Sequence, residues 1–269
     1  MIKLGDTIIE QNHFPDNSLF LRTPLNEDHA IITWHYESDA ELFTIICLRK
    51  HYMWAPMSLR MYYCPHARMD RVKQADEVFT LKHFCDVINS LNFNAVFITD
   101  PHSNVCTALL NNVIVVDYEC MNDAVSDIIK VNNYKDGYIG DNLVFFYPDE
   151  GAGKRYNGKC GCHKLPFTTG MKKRDWRTGK IEKLVINEPE VVNGKDVLII
   201  DDICSRGGTF LHSAKALKEL GANKIYLYIT HCENTILEGE LLTSDLIEKV
   251  YTTNSIFTKE HEMIEVFEL

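Results

Sequence analysis

The stretch VLIIDDICSRGGTF, residues 197–210, sets an apolar run against two aspartates and a turn containing paired glycines. A short run of this kind reads as a strand buried on both faces. Behind the turn, TFLHSAKALKELGA from Thr209 to Ala222 brings Leu211, Ala214, Leu217 and Leu220 to helical spacing, with Gly221 as the stop. KIYLYITH at 224–231 follows as the next strand, completing one right-handed crossover unit. In an open parallel sheet, ligands gather at the carboxyl ends of the strands, which is where Asp201 and Asp202 stand. The turn from Cys204 to Thr209 can aim backbone N–H groups and a helix start at an anion. Gly207 and Gly208 permit close approach, and Thr209 offers a hydroxyl. Aspartates beside such a cradle suit the hydroxyls of a sugar whose phosphate sits in the loop. One of them can instead act through Mg²⁺, which takes a few carboxylates together with phosphate and water. The plain alternative is a solvated strand end with a helix cap. No GKS or GKT follows, so this is not the Walker phosphate loop.

Working outward, NAVFITD at 94–100 and LVFFYPD at 143–149 are further buried strands in a strand–helix alternation. The expected fold class is α/β: two similar lobes, each a parallel sheet flanked by helices, with strand-end acids recurring in FITDPHSN and YPDEGAGKR. YECMNDAVSDIIKVNNYKDG carries polar, Gly and Asn turn signals, which sets the lobes at 1–127 and 128–255. The tail, 256–269, ending in MIEVFEL, is expected to return as an extra strand and pack back on the N-terminal lobe.

Composition narrows the function classes. The chain has 269 residues, 45% hydrophobic and 25% charged, which is enough for one large core or two modest ones. A net charge of −10 argues against an extended nucleic-acid face, so phosphate chemistry must use local cationic pockets. No apolar run approaches the roughly 18 residues of a membrane span, and the N-terminus lacks a signal-like pattern. These features lead us to expect a cytoplasmic protein. Nine cysteines scattered through apolar segments read as buried, reduced thiols. Cys160, Cys162 and His163 in KCGCH invite a zinc reading, but a structural site wants a second matching ligand pair, and the sequence offers none.

At this point the chain becomes recognisable. VLIIDDICSRGGTF resembles the ribose-phosphate motif shared by phosphoribosyl pyrophosphate (PRPP) synthetases and type I phosphoribosyltransferases. YYCPHARMDR at 62–71 is similar to the ATP-binding segment of the synthetases, and ITDPHSN at 98–104 to their metal-binding strand end. YPDEGAGKRY at 147–156 and GMKKRDW at 170–176 resemble the second-lobe Asp loop and the mobile catalytic loop. THCEN at 230–234 and YTTNSI at 251–256 keep the same order. The resemblance implies a type I phosphoribosyltransferase-like fold and transfer of the β,γ-diphosphate of ATP to the anomeric hydroxyl of ribose 5-phosphate, with Mg²⁺ as cofactor. It assigns Phe14, Asp16, Arg68 and Asp70 to ATP, Asp100, His102 and Asp149 to the metal, and Lys172 and Arg174 to catalysis. Asp201, Asp202, Ser205, Arg206, Gly207, Gly208 and Thr209 fall to the ribose phosphate. It also implies a homo-oligomer, because the adenine pocket of the family is shared between subunits. Phosphoryl transfer needs alignment and charge neutralisation more than covalent help, which suits these residue types.

Some positions depart from the pattern. Ser205 and Arg206 stand where the family has an acidic residue and a threonine, Met69 replaces a glutamine, and Ser18 an acidic residue. A guanidinium in place of a hydroxyl adds a strong planar phosphate donor. An acceptor carrying a diphosphate, with ADP-ribose the leading candidate, is therefore kept beside ribose 5-phosphate. A surface ion pair is the plain reading of Arg206. A phosphoribosyltransferase and a non-catalytic regulatory relative are the competing classes.

Overall fold

The structure, a computed structural model, describes residues 1–24, 31–116, 119–132, 134, 142–158, 165–174 and 181–269, with backbone alone for 119, 172–174 and 181–184. The chain divides after residue 117 into two units, each with its own core.

The first unit runs β1 (Ile2–Leu4), β2 (Thr7–Ile8), β3 (Asn12–His13), β4 (Leu19–Phe20), β5 (Ile31–Trp34), α1 (Glu41–His51), β6 (Ser58–Met61), α2 (Thr80–Ser90), β7 (Val96–Thr99), α3 (Asn104–Leu109) and β8 (Val113–Val116). Its sheet has the order β2-β1-β5-β6-β7-β8, parallel from β5 to β8 and antiparallel at β1 and β2. Alternate residues Ile32, Trp34, Leu59, Met61, Val96 and Ile98 enter the core. Helix α2 answers them with Leu81, Phe84, Cys85 and Ile88, the i, i+3, i+4, i+7 stripe of an amphipathic helix. β3 and β4 form a separate small hairpin.

The second unit contains α4 (Glu119–Val131), β9 (Leu143–Tyr147), α5 (Glu150–Tyr156), β10 (Phe167–Arg174), β11 (Ile181–Ile186), β12 (Asp196–Cys204), α6 (Gly208–Glu219), β13 (Ile225–Cys232), β14 (Lys249–Thr253) and β15 (Ile264–Phe267). The sheet order is β11-β10-β9-β12-β13-β14-β15, with only the β10–β11 pair antiparallel. Central β12 is covered on both sides: Val197 and Ile199 face one core cluster and Leu198 and Ile200 the other. That is why its apolar run is continuous rather than alternating. Helix α6 closes as expected at Gly221, with Ala222 N–H on Leu217 C=O and Gly221 N–H on Lys218 C=O, both at 3.0 Å.

One expectation about organisation changes. The division falls after residue 117, because α4 belongs to the second unit and packs Cys120, Met121, Ala124, Val125 and Ile128 into its core. The tail belongs to the second unit, where β15 adds a parallel strand beside β14. There Phe267 stacks on Tyr251 with centroids 6.1 Å apart, and Glu265 pairs with Lys249 at 2.8 Å. Among the described residues, no helix is long and apolar enough to cross a membrane.

Candidate active site

Strand β12 runs through the aspartate pair, and the pair is not symmetrical. Asp202 is 4% exposed, and its Oδ1 lies 3.2 Å from Nη1 of Arg155 in the last turn of α5. Asp201 is partly buried, and its Oδ1 accepts the Asp202 N–H at 3.0 Å. Burial is the main reason that the Asp201 carboxyl is pushed well above the usual carboxylate range. The charge of Asp202, a hydrogen bond with it and the charge of Asp149 push the same way. Asp201 is therefore the carboxyl held in an excess of negative potential, while Asp202 has a cation beside it. Asp149 caps α5, with Oδ1 accepting the Ala152 N–H at 3.0 Å.

The glycine loop has a closed underside and an open top. Gly207 has φ 78°, in the left-handed region, and a Cβ there would lie 2.8 Å from two Leu241 side-chain atoms. On the same side, a Cβ on Gly239 would lie 1.9 Å from the Arg206 carbonyl oxygen. At Gly208, by contrast, an added Cβ meets no atom within 4 Å among the described residues. Helix α6 starts there, and its N-cap Gly207 brings no side chain to bond the first amides. Such amides together with the helix dipole attract anions. Arg206 is 70% exposed, and its Nη2 and Nε lie 3.0 and 3.3 Å from Oε2 of Glu238, itself 59% exposed. The plain ion-pair reading of Arg206 thus describes what the side chain does in this structure. Cys204 is buried against Cys232, its register partner on β13; that contact first, and then burial, raise its pKa, as befits an unreactive thiol.

Lys172 and Arg174 lie on β10 rather than on a loop. Lys172 is in register with Leu184 and Arg174 with Ile181, with a register shift between Lys173 and Arg174. An antiparallel partner supplied by β11 turns the expected loop into a hairpin arm. Cys160, Cys162 and His163 lie outside the described residues.

In the first unit, Asp100 follows β7, fully buried and with φ 40°. A left-handed aspartate costs about 1 kcal/mol. His102, two residues on, is partly exposed. Arg68 is exposed, and Asp70 pairs with Nε of Arg71 at 3.2 Å. Beneath this segment Cys64 and Cys106 bring their sulfurs to 2.9 Å. On the β3–β4 hairpin, Phe14 is 51% exposed with its ring 5.2 Å from Phe20. Asp16 closes the turn by accepting from the Ser18 hydroxyl at 2.6 Å and the Ser18 N–H at 3.0 Å, which lower its pKa. Sequence reasoning missed Arg155 and Glu238. Arg155 had a signal, a basic residue closing the helix after YPDE; Glu238 had none.

Residues 179–266 match the model of the phosphoribosyl synthetase-associated domain. The chain is similar to ribose-phosphate pyrophosphokinase 1 of Listeria monocytogenes, 30% identical over 231 residues that span 85% of this chain and 69% of that one. The chain belongs to the ribose-phosphate pyrophosphokinase family. The ribose-phosphate pyrophosphokinase of Thermococcus kodakarensis is 27% identical over 256 residues, covering 93% of this chain and 86% of the other. The fold is that of the crystal structure of phosphoribosylpyrophosphate synthetase from Mycobacterium smegmatis, with a TM-score of 0.73 at 16% identity over 97% of this chain and 86% of that one. It is a type I phosphoribosyltransferase-like fold, and the family is one of transferases.

Proposed function

We propose that this chain transfers the β,γ-diphosphate of ATP to the anomeric hydroxyl of ribose 5-phosphate, releasing AMP and forming PRPP. The hydroxyl oxygen bonds to the β-phosphorus as the bond to the α-phosphate oxygen breaks. The observation that carries this reading is the end of β12, where Asp201 adjoins a helix start without a side-chain cap and a glycine with open space above it. The acceptor's phosphate fits the amides of Gly208 and Thr209, and its ring hydroxyls fit Asp201. Ser205 and Thr209 supply hydroxyl donors, and Asp202 holds the loop's base through Arg155. Phe14, exposed at a hairpin tip, suits stacking on adenine, with Asp16 beside it. Arg68 and Asp70 belong to the triphosphate segment. Lys172 and Arg174 neutralise charge on the transferring group.

The donor set fits Mg²⁺. Burial first, and then the charges of Asp202 and Asp149, raise the proton affinity of Asp201, and a divalent cation offsets that surplus of negative charge. An ion held mainly by phosphate and water needs few side-chain donors. Asp149 is an oxygen donor for this ion; Asp100 and His102 would serve a separate Mg²⁺ in the first unit, the histidine being the softer donor. When bound, Mg²⁺ supplies charge neutralisation of the phosphates.

A second acceptor is favoured by one observation, the exposed Arg206 beside the loop: ADP-ribose has a free anomeric hydroxyl and a diphosphate for the guanidinium. Such a product fits salvage of NAD. We further propose a homo-oligomer acting in the cytoplasm, without nucleic-acid partners. The test is AMP release from ATP and Mg²⁺ with each acceptor in parallel, followed by mass spectrometry. An acceptor gaining a diphosphate is the expected result. Silence with both acceptors overturns the reading in favour of a regulatory relative, and base exchange without ATP in favour of a phosphoribosyltransferase.

A further inference from the structure

We infer that Arg206 and Glu238 form an anion-exchange latch, in which the carboxylate of Glu238 holds the guanidinium until a ligand with a second phosphate group takes its place. This inference rests on the reading of residues 204–209 as a phosphate loop.

Three observations carry it. The backbone of Arg206 is clamped, because Gly239 leaves no room beyond its α-carbon next to the Arg206 carbonyl and Leu241 fills the space at Gly207. The root of the side chain is thus fixed beside the loop, and only the guanidinium is free to swing. Both partners are also exposed, at 70% and 59%. An exposed ion pair contributes little, so breaking it is cheap, and the released Glu238 is left in water rather than buried. Finally, both contacts of the guanidinium go to the one oxygen Oε2, from Nη2 at 3.0 Å and Nε at 3.3 Å. A diphosphate offers two or more oxygens in a geometry that a planar guanidinium takes bidentately, and more charge than a carboxylate. A monophosphate seated on the loop amides leaves the latch shut; a diphosphate opens it. Glu238 thereby sets a threshold on the charge of the ligand, and Arg206 sets the preference above that threshold.

Calorimetric titration tests this without turnover. Orthophosphate and inorganic pyrophosphate are titrated into the whole chain, Glu238→Gln, Arg206→Thr, the double variant and Thr209→Val, with circular dichroism as a fold control. Glu238→Gln should tighten pyrophosphate about fivefold, the scale of one exposed ion pair, and leave orthophosphate unchanged. In the Arg206→Thr background the same change should do nothing, which separates this effect from pyrophosphate bound elsewhere. Equal pyrophosphate affinity in Glu238→Gln and the unaltered chain overturns the latch, as does a gain that survives Arg206→Thr. If Thr209→Val leaves orthophosphate binding intact, the loop reading fails and the latch with it; if that variant weakens orthophosphate while the Glu238 effect is absent, the latch alone fails.

Discussion

At the scale of single residues, the neighbouring aspartates of β12 have opposite thermodynamic signs. Asp202 has Arg155 at 3.2 Å, and removing the cation leaves a buried carboxylate without its counter-charge. Arg155→Ala should cost roughly 3 kcal/mol in urea unfolding, with Arg155→Lys recovering part of it; an unchanged midpoint would show that water reaches Asp202. Asp201 has a raised folded pKa, so it holds its proton more tightly folded than unfolded. Its favourable contribution is complete below the ordinary value of 3.8 and is lost as pH rises through the folded value. At neutral pH the ionised group therefore weighs against folding. Asp201→Asn should raise the thermal midpoint by about 2–4 °C at pH 7. The gain should vanish near the ordinary carboxylate pKa, while turnover is lost at every pH. A midpoint that falls at pH 7 would contradict this account. The position of both aspartates at a strand end was legible from their place after an apolar run, but the asymmetry between them was not, since it depends on Arg155 reaching Asp202 from another element.

Among elements, the strand–turn–helix from β12 to α6 was legible because every local signal agreed: a two-sided apolar strand, glycines at the turn and a helical stripe stopped at Gly221. The segment holding Lys172 and Arg174 was not, since its charged sequence carries no strand pattern and its pairing comes from β11. A hairpin arm gives these two cations defined backbone positions. Lys172→Ala and Arg174→Ala should each lower AMP formation about 10²–10³-fold, the effect of removing one donor to developing charge. Their unfolding midpoints should match the unaltered chain, because they lie at the far end of an edge hairpin. Near-normal rates would remove both from the catalytic assignment.

For the whole molecule, the two units hold separate cores, and the sequence disguised their border. α4 reads as polar and turn-rich in YECMNDAVSDIIKVNNYKDG, yet Met121, Ala124, Val125 and Ile128 are fully buried in the second unit. The edge that the tail joins was illegible for a related reason: MIEVFEL announces a strand, and nothing in it names its partner, which is β14. With its seven-stranded sheet and both core clusters intact, a fragment of residues 118–269 should fold alone. Cooperative thermal unfolding and protected amides in hydrogen exchange would bear this out, and a molten fragment would not. A fragment cut at 128 should be much less stable, having lost most of α4.

Position 207 also carries a history. Its left-handed backbone and the Leu241 atoms standing where a Cβ would go make the two positions heritable only as a pair. A substitution at 207 is closed to this lineage until 241 has first become small, and asparagine or aspartate would be the entrants then, since they tolerate that backbone. A library randomised at both sites and selected for the intact loop would return glycine wherever leucine is kept. Drift through this part of the molecule has an order.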